Sequence, residues 1–139
     1  MIIETPKVSI IVSVYNAIQG LESTIQSVLN QEYDNIELII IDGGSTDGSL
    51  NIIEKYNESI GYWISENDTG IYDAWNKGLK VVNGEWILFL GSGDTLKVNG
   101  IKLLIDKVLE VNRGLDIVSG KISLFMGDQY IESVGKAWN

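Results

Sequence analysis

The chain has 139 residues, 45% of them hydrophobic and 21% charged, with a formal net charge of −9 and neither histidine nor cysteine. That length suits one domain with its own core, the acidity repels nucleic-acid phosphates so that no nucleic-acid partner is expected, and the missing side chains exclude disulfides, thiolate or imidazole zinc sites, and Ser-His-Asp or Cys-His catalysis. No apolar run approaches the roughly 20 residues of a membrane span and no basic-then-apolar leader is visible, so the expected location is cytoplasmic.

Val8 to Val14, rich in valine and isoleucine, predicts a buried strand. It exits through Ser13-Val14-Tyr15-Asn16, where a hydroxyl, a ring and an amide suit a base and ribose, or form a polar strand end with Tyr15 packed on the surface. Leu21, Ile25, Val28 and Leu29 then recur at helical spacing. Ile36 to Ile41 is a second apolar strand, stopped by Asp42-Gly43-Gly44. Asp42 at that tip is placed to accept hydrogen bonds from a base imide or ribose hydroxyls, and the glycines let a ligand approach the backbone closely. Ser45 or Asp47 is expected to cap the following helix, whose inner face carries Leu50, Ile53 and Tyr56.

Tyr62 to Ser65 reads as a short third strand, and Glu66-Asn67-Asp68-Thr69-Gly70 as a turn in which Asp68 or Thr69 caps the next helix. That helix is expected over Ile71 to Val82, ended by Asn83-Gly84. On it Asp73, Asn76 and Lys77 share one face, which either lines a site or meets solvent. Trp86 to Leu90 is a fourth, wholly apolar strand that runs into Gly91-Ser92-Gly93-Asp94. In an open α/β sheet, ligands bind beyond the carboxyl ends of the strands. A carboxylate there suits a hard divalent cation, and such a cation suits a diphosphate. Ile101 to Val111 is a further amphipathic helix, Leu115 to Ser119 a fifth strand, and Lys121 to Val134 a hairpin around Gly127-Asp128. The last residues, Gly135 to Asn139, carry no capping element, which fits either a natural terminus or a cut through a longer protein.

Strands alternating with helices imply an α/β fold with a mainly parallel sheet. The unbroken apolar runs of strands one, two and four imply helices on both faces. Residues 1–139 read as a single domain without repeats or linkers. No G-x-G-x-x-G follows the first strand, which disfavours a dinucleotide-dependent dehydrogenase, and no G-x-x-x-x-G-K-[ST] occurs, which excludes a P-loop NTPase.

Four blocks in order, Val8 to Asn16, Ser27-Val28-Leu29-Asn30-Gln31, Glu37 to Gly48, and Gly84 to Leu90 with the acidic turn after it, resemble glycosyltransferase family 2 from about Lys7 to Asp94. The resemblance implies a Rossmann-like GT-A fold, its C-terminal part incomplete here, and transfer with inversion from a nucleotide-diphospho-sugar, with UDP the expected nucleotide. It also implies Mn²⁺ or Mg²⁺, with Asp94 as the metal-binding acid. Ser13 and Tyr15 would line the nucleoside pocket and Asp42 would contact base or ribose. Asn16, Gly43, Asp73, Asn76, Lys77, Ser92 and Gly93 complete the expected donor-binding set. The run Ile71 to Gly78 is similar to a subgroup that makes bacterial cell-surface polysaccharide. Such an enzyme takes a saccharide or lipid-linked acceptor and, at full length, associates peripherally with the inner face of the membrane.

Two departures from the family pattern stand out. Many members carry two or three acids where this chain has Asp94 alone after Gly91-Ser92-Gly93, and many carry Ala-Arg-Asn where it reads Ala74-Trp75-Asn76. Lys77 is then the candidate to supply positive charge. The catalytic base, which must lie within hydrogen-bond reach of the attacking hydroxyl, is expected beyond Asn139, so the chain reads as the N-terminal, donor-binding portion of a longer enzyme. Apolar surface left on an incomplete sheet would favour self-association. The alternatives are a nucleotidyltransferase, which would show a Gly-rich loop with Arg or Lys after the first strand, and a non-catalytic nucleotide-binding module.

Overall fold

The structure, a computed structural model, describes residues 5–111, 114–126 and 128–135. In chain order they form β1 (Val8–Val14), α1 (Leu21–Leu29), β2 (Ile36–Asp42), α2 (Ser49–Lys55), a 3₁₀ turn at Asn57–Ser59, β3 (Tyr62–Ser65), α3 (Ile71–Leu79), β4 (Trp86–Gly91), α4 (Gly100–Val111), β5 (Ile122–Met126) and β6 (Gln129–Val134). The first four strands make one parallel sheet in the order β3-β2-β1-β4, and β5 and β6 pair antiparallel. The chain divides into two compact units, Met1–Ile101 and Lys102–Asn139. No helix among the described residues is long and apolar enough to cross a membrane.

Successive side chains of a strand point to opposite faces, so a strand without polar residues must be covered on both. Ile11, Ile39 and Ile41 point one way and pack with Ala74 of α3, and Ile64, Trp75, Val81 and Val82 extend that layer. Ile10, Val12, Leu38 and Ile40 point the other way and are equally buried, as are Leu21, Ile25 and Val28 of α1. Each such side chain contributes about 1.5–3 kcal/mol by leaving water. The expected α/β architecture is therefore present, a parallel sheet flanked by helices.

Several local expectations are corrected. β4 is not covered on both faces: Ile87 and Phe89 are exposed while Trp86 and Leu88 are half-buried and Leu90 buried, and β4 stands at an edge of the sheet. α3 stops at Leu79 rather than Val82, since a tight turn from Lys77 to Val81 swings Val81 and Val82 into the core layer. Leu115 to Ser119 is not a strand; it has no ladder partner among the described residues, and Asp116 interrupts its apolar run. The hairpin forms as β5 and β6, with Asp128 in its turn and Gly127 outside the described residues, as are Lys136 to Asn139. Within α1 Leu29 is exposed, and of the expected inner face of α2 only Ile53 is fully buried, while Leu50 and Tyr56, the residue after the helix, are half-buried.

Neither expected helix cap stands at the cap position. The residues before α2 and α3 are Gly48 and Gly70, with φ of 99° and 119°, conformations that glycine adopts without steric cost. The acids act from outside: Asp47 Oδ1 accepts from Ser49 N at 3.0 Å, and Asp68 Oδ1 accepts from Gly70 N at 2.9 Å.

Candidate functional site

In the strand order, β1 leads to β2 and β3 on one side while β4 returns to its other side. That reversal opens a crevice at the carboxyl ends of the strands, where α/β sheets take their ligands. Here it is a cleft of about 790 Å³. Ser13 and Val14 from β1, Gly43 and Gly44 after β2, and Gly91 and Ser92 at the end of β4 all line it, and backbone bonds from Gly43 N to Val14 O (2.8 Å) and Ser92 N to Ser13 O (3.2 Å) hold the strand exits together. Tyr15 lines the same cleft with its side chain largely in solvent.

Asp42, next to the cleft residue Gly43, does not itself line the cleft. Its carboxylate is fully buried, with Oδ2 accepting from Gly44 N (3.0 Å), Ser45 N (2.9 Å) and Ser65 Oγ (2.7 Å), and Oδ1 from Ser45 Oγ (2.5 Å). It shapes the β2–α2 turn, and the cleft meets the turn's glycine backbone instead. Asn16 is also a stitch between strand exits. Its backbone has φ 47°, its N–H donates to Ser45 Oγ and its Oδ1 accepts from Thr46 N, both at 2.8 Å, and it does not line the cleft.

The β3–α3 loop supplies the opposite wall through Asn67, Asp68 and Gly70, followed by Ile71 and Ala74 of α3. The loop packs directly on the glycine turn: a Cβ placed on Gly43 would lie 2.7 Å from Asp68 Oδ2, and one on Gly44 would lie 2.6 Å from Asn67 Oδ1. Lys77 braces the loop from behind. Its Nζ donates to Asn67 O at 3.0 Å and pairs with Glu66 at 3.1 Å and Asp73 at 3.8 Å. Partial burial lowers the Lys77 pKa, but the carboxylates of Glu66, Asp73 and Asp68 outweigh it and hold the ammonium above its ordinary range. Asp73 also accepts from Thr69 N at 3.0 Å. The expected face of Asp73, Asn76 and Lys77 thus secures the loop, and none of the three lines the cleft; Asn76 is exposed.

At the end of β4 the acidic turn closes on itself. Asp94 Oδ2 accepts from Gly91 N at 3.0 Å, and Asp94 N donates to Gly91 O at 3.1 Å. Gly93 stands at φ 104°, and Asp94 is exposed, with its second oxygen given no donor by the described residues; neither lines the cleft, whose wall ends at Gly91 and Ser92.

Among the described residues, Asp68 is the only charged one lining the cleft. A diphosphate there would meet no side-chain cation, because Lys77 is committed to the loop. Among the described residues no three acids gather to hold a resident metal. Asp94 does fit an ion that arrives with its ligand, since Mg²⁺ and Mn²⁺ take one or two carboxylates and fill the other positions from phosphates and water.

Asp68 and Asn67 are the cleft residues that the motif reading passed over as a capping turn. The signal was there: their loop follows a strand of the same parallel sheet, so it must emerge at the same end as Asp42 and Asp94.

Comparison with known proteins agrees with the α/β fold. The family model described as glycosyl transferase family 2 matches residues 9–131. A PGL/p-HBAD biosynthesis glycosyltransferase of Mycobacterium bovis is 36% identical over 94 residues, covering 66% of this chain and 37% of that protein. Glycosyltransferase GlyA of Streptococcus pneumoniae is 30% identical over 141 residues, covering 92% of this chain and 20% of that one. The chain therefore spans well under half the length of these relatives. The crystal structure of S. aureus TarS 1-349 in complex with UDP-GlcNAc superposes with a TM-score of 0.65 at 29% identity, covering 73% of this chain and 31% of that one.

Proposed function

The chain belongs to glycosyl transferase family 2, and from that membership we propose that it binds the nucleoside diphosphate of a UDP-sugar in the cleft between β1, β2 and β4, as the donor half of an inverting glycosyltransferase. The carrying observation is the cleft at the switch point of the sheet, lined by small residues and exposed backbone, with Asp68 on its wall and Asp94, itself not a lining residue, hydrogen-bonded to the lining residue Gly91. UDP-GlcNAc is the ligand of TarS in the crystal structure named above, which supports a UDP-sugar as the donor class. The similarity of Ile71 to Gly78 to a polysaccharide-making subgroup supports a role of the whole protein in surface polysaccharide synthesis, with a saccharide or lipid-linked acceptor.

In this reading the base and ribose lie between Tyr15, the Gly43–Gly44 backbone and the Asn67–Asp68 wall. The diphosphate reaches Ser92 and Gly93, and Asp94 is the residue that would hold Mn²⁺ or Mg²⁺. When bound, that ion supplies positive charge to the departing diphosphate. The acceptor oxygen attacks the anomeric carbon opposite the bond to the diphosphate. That bond breaks as the new one forms, the configuration inverts, and the acceptor proton passes to a general base. What these residues contribute is orientation: fixing the donor removes much of the entropic part of the barrier.

Titration calorimetry of the 139-residue chain tests this. UDP should bind with Mn²⁺ present and uridine should bind without it. No heat from millimolar UDP in the presence of Mn²⁺ would overturn the proposal.

A further inference from the structure

The block Ser27-Val28-Leu29-Asn30-Gln31 belongs to the family resemblance, yet none of it lines the cleft. Two of its polar members, Ser27 and Gln31, with Thr24 one turn earlier, stand at i, i+3 and i+7 on one face of α1 and its end. All three reach across to the irregular segment that joins β4 to α4. Thr24 Oγ1 accepts from Gly93 N at 2.8 Å. Ser27 Oγ accepts from Leu96 N at 3.1 Å while donating to Thr24 O at 2.8 Å. Gln31 Nε2 donates to Lys97 O at 2.7 Å, and its Oε1 accepts from Ile101 N at 3.0 Å. Glu32 N adds a bond to Val98 O at 2.8 Å.

A segment with no ladder or helix of its own must still find partners for its backbone groups. Here one helix provides them. Thr24 is fully buried, and its hydroxyl has its own intrahelical acceptor in Gly20 O at 3.3 Å, so its lone pairs are free for the Gly93 amide. The helix start also abuts the turn: a Cβ on Gly20 would lie 2.7 Å from Gly93 Cα. Gly93 is the left-handed residue (φ 104°) immediately before Asp94, so whatever holds Gly93 sets the direction in which Asp94 leaves the turn.

We propose that Thr24, Ser27 and Gln31 are positioning residues for the acidic turn, aligning Asp94 before donor and metal arrive. This rests on the reading of Asp94 as the acid that meets the donor's cation. The three side chains touch neither donor nor metal; they act through the backbone of Gly93 to Ile101.

The test uses the 139-residue chain and the variants Thr24→Val, Thr24→Ser and Ser27→Ala. It measures UDP affinity across a Mn²⁺ series, uridine affinity without metal, and amide exchange at Gly93 and Leu96 in the metal-free protein. Thr24→Val should raise the Mn²⁺ concentration needed for half-maximal UDP binding by about 10-fold, as loss of a residue supporting a metal ligand commonly does. Uridine affinity should stay at the wild-type value, the Gly93 amide should exchange faster, and Thr24→Ser should restore both. Wild-type Mn²⁺ dependence and Gly93 exchange in Thr24→Val would overturn the proposal, as would an equal loss of uridine and metal-dependent binding. If Thr24→Val does not fold, Ser27→Ala is read by the same criteria at Leu96. UDP binding by the wild type that ignores Mn²⁺ would instead overturn the reading of Asp94.

Discussion

The Ser65 hydroxyl lies 2.7 Å from Asp42 Oδ2, so the exits of β2 and β3 are tied through a carboxylate with no exposed surface. Three donors converge on Oδ2 and a fourth on Oδ1. In Asp42→Asn an amide N–H must face one of those donors. We expect a loss of about 2–4 kcal/mol in urea unfolding, against about 1 kcal/mol for Ser65→Ala. Uridine affinity should fall in Asp42→Asn because the glycine turn loses its shape.

Asp94 is exposed beside the cleft residue Gly91, with one oxygen engaged by Gly91 N. In Asp94→Asn a carbonyl oxygen still accepts that bond but the charge is gone. UDP affinity with Mn²⁺ should drop to the value measured with a chelator, while uridine affinity and thermal stability stay near wild type.

At the opposite end of the sheet, Glu37 gathers Ser9 Oγ, Asn83 N and Asn83 Nδ2, with Lys7 at 3.4 Å. Burial pushes its carboxyl up, but the hydrogen bonds and the Lys7 charge prevail and carry the pKa from 4.5 to about 2. A depressed carboxylate pKa contributes stability that is complete above the unfolded value and disappears as pH falls through the folded one. Between pH 4.5 and about 2 this site should therefore cost the protein about 2–3 kcal/mol. Urea midpoints measured across that range should fall less steeply in Glu37→Gln than in the wild type.

Lys77 bridges α3 to the loop that walls the cleft. Lys77→Met keeps the stem and removes the charge, so amide exchange over residues 67–70 should accelerate and UDP affinity should decline. A raised lysine pKa contributes stability that is present below its unfolded value and lost as pH climbs past it. The Lys77 brace should thus be insensitive to pH throughout the neutral range.

Gly78 lets α3 lie against β1; a Cβ there would stand 2.6 Å from Ile11 Cγ2. Alanine gains about 1 kcal/mol of helix propensity over glycine, whereas overpacking a filled core costs about 1–3 kcal/mol. Ile11 is fully buried in the central strand and has little room to move, so Gly78→Ala should lower the melting temperature.

Much of the fold was legible because its signals are local. The apolar runs of β1 and β2 and the short β3 were readable from residue type alone. The misread places share a cause. Leu115 to Ser119 has the composition of a strand but no neighbour to pair with among the described residues, and Val81-Val82 continues a helical pattern but turns into the core. In both, a tertiary partner or its lack outweighed the local preference. The site divides in the same way. Ser13, Tyr15, Gly43 and Ser92 could be named from their place after strands, whereas Asp42 could be placed but not oriented, and Asp68 was hidden in what read as a cap.

Residue order alone determined the alternation of strand and helix, the acidic strand endings and the family, since period, turn chemistry and motif are carried by neighbours in the chain. The tertiary structure decided that Asp42 turns inward, that Asp68 and Asn67 close over Gly43 and Gly44, and that Lys77 braces a loop rather than facing a ligand. It also decided that a row on α1 grips a turn some seventy positions later, Thr24 to Gly93. These outcomes follow from the order of strands in the sheet, which brings distant backbone groups into contact and obliges each buried one to find a partner.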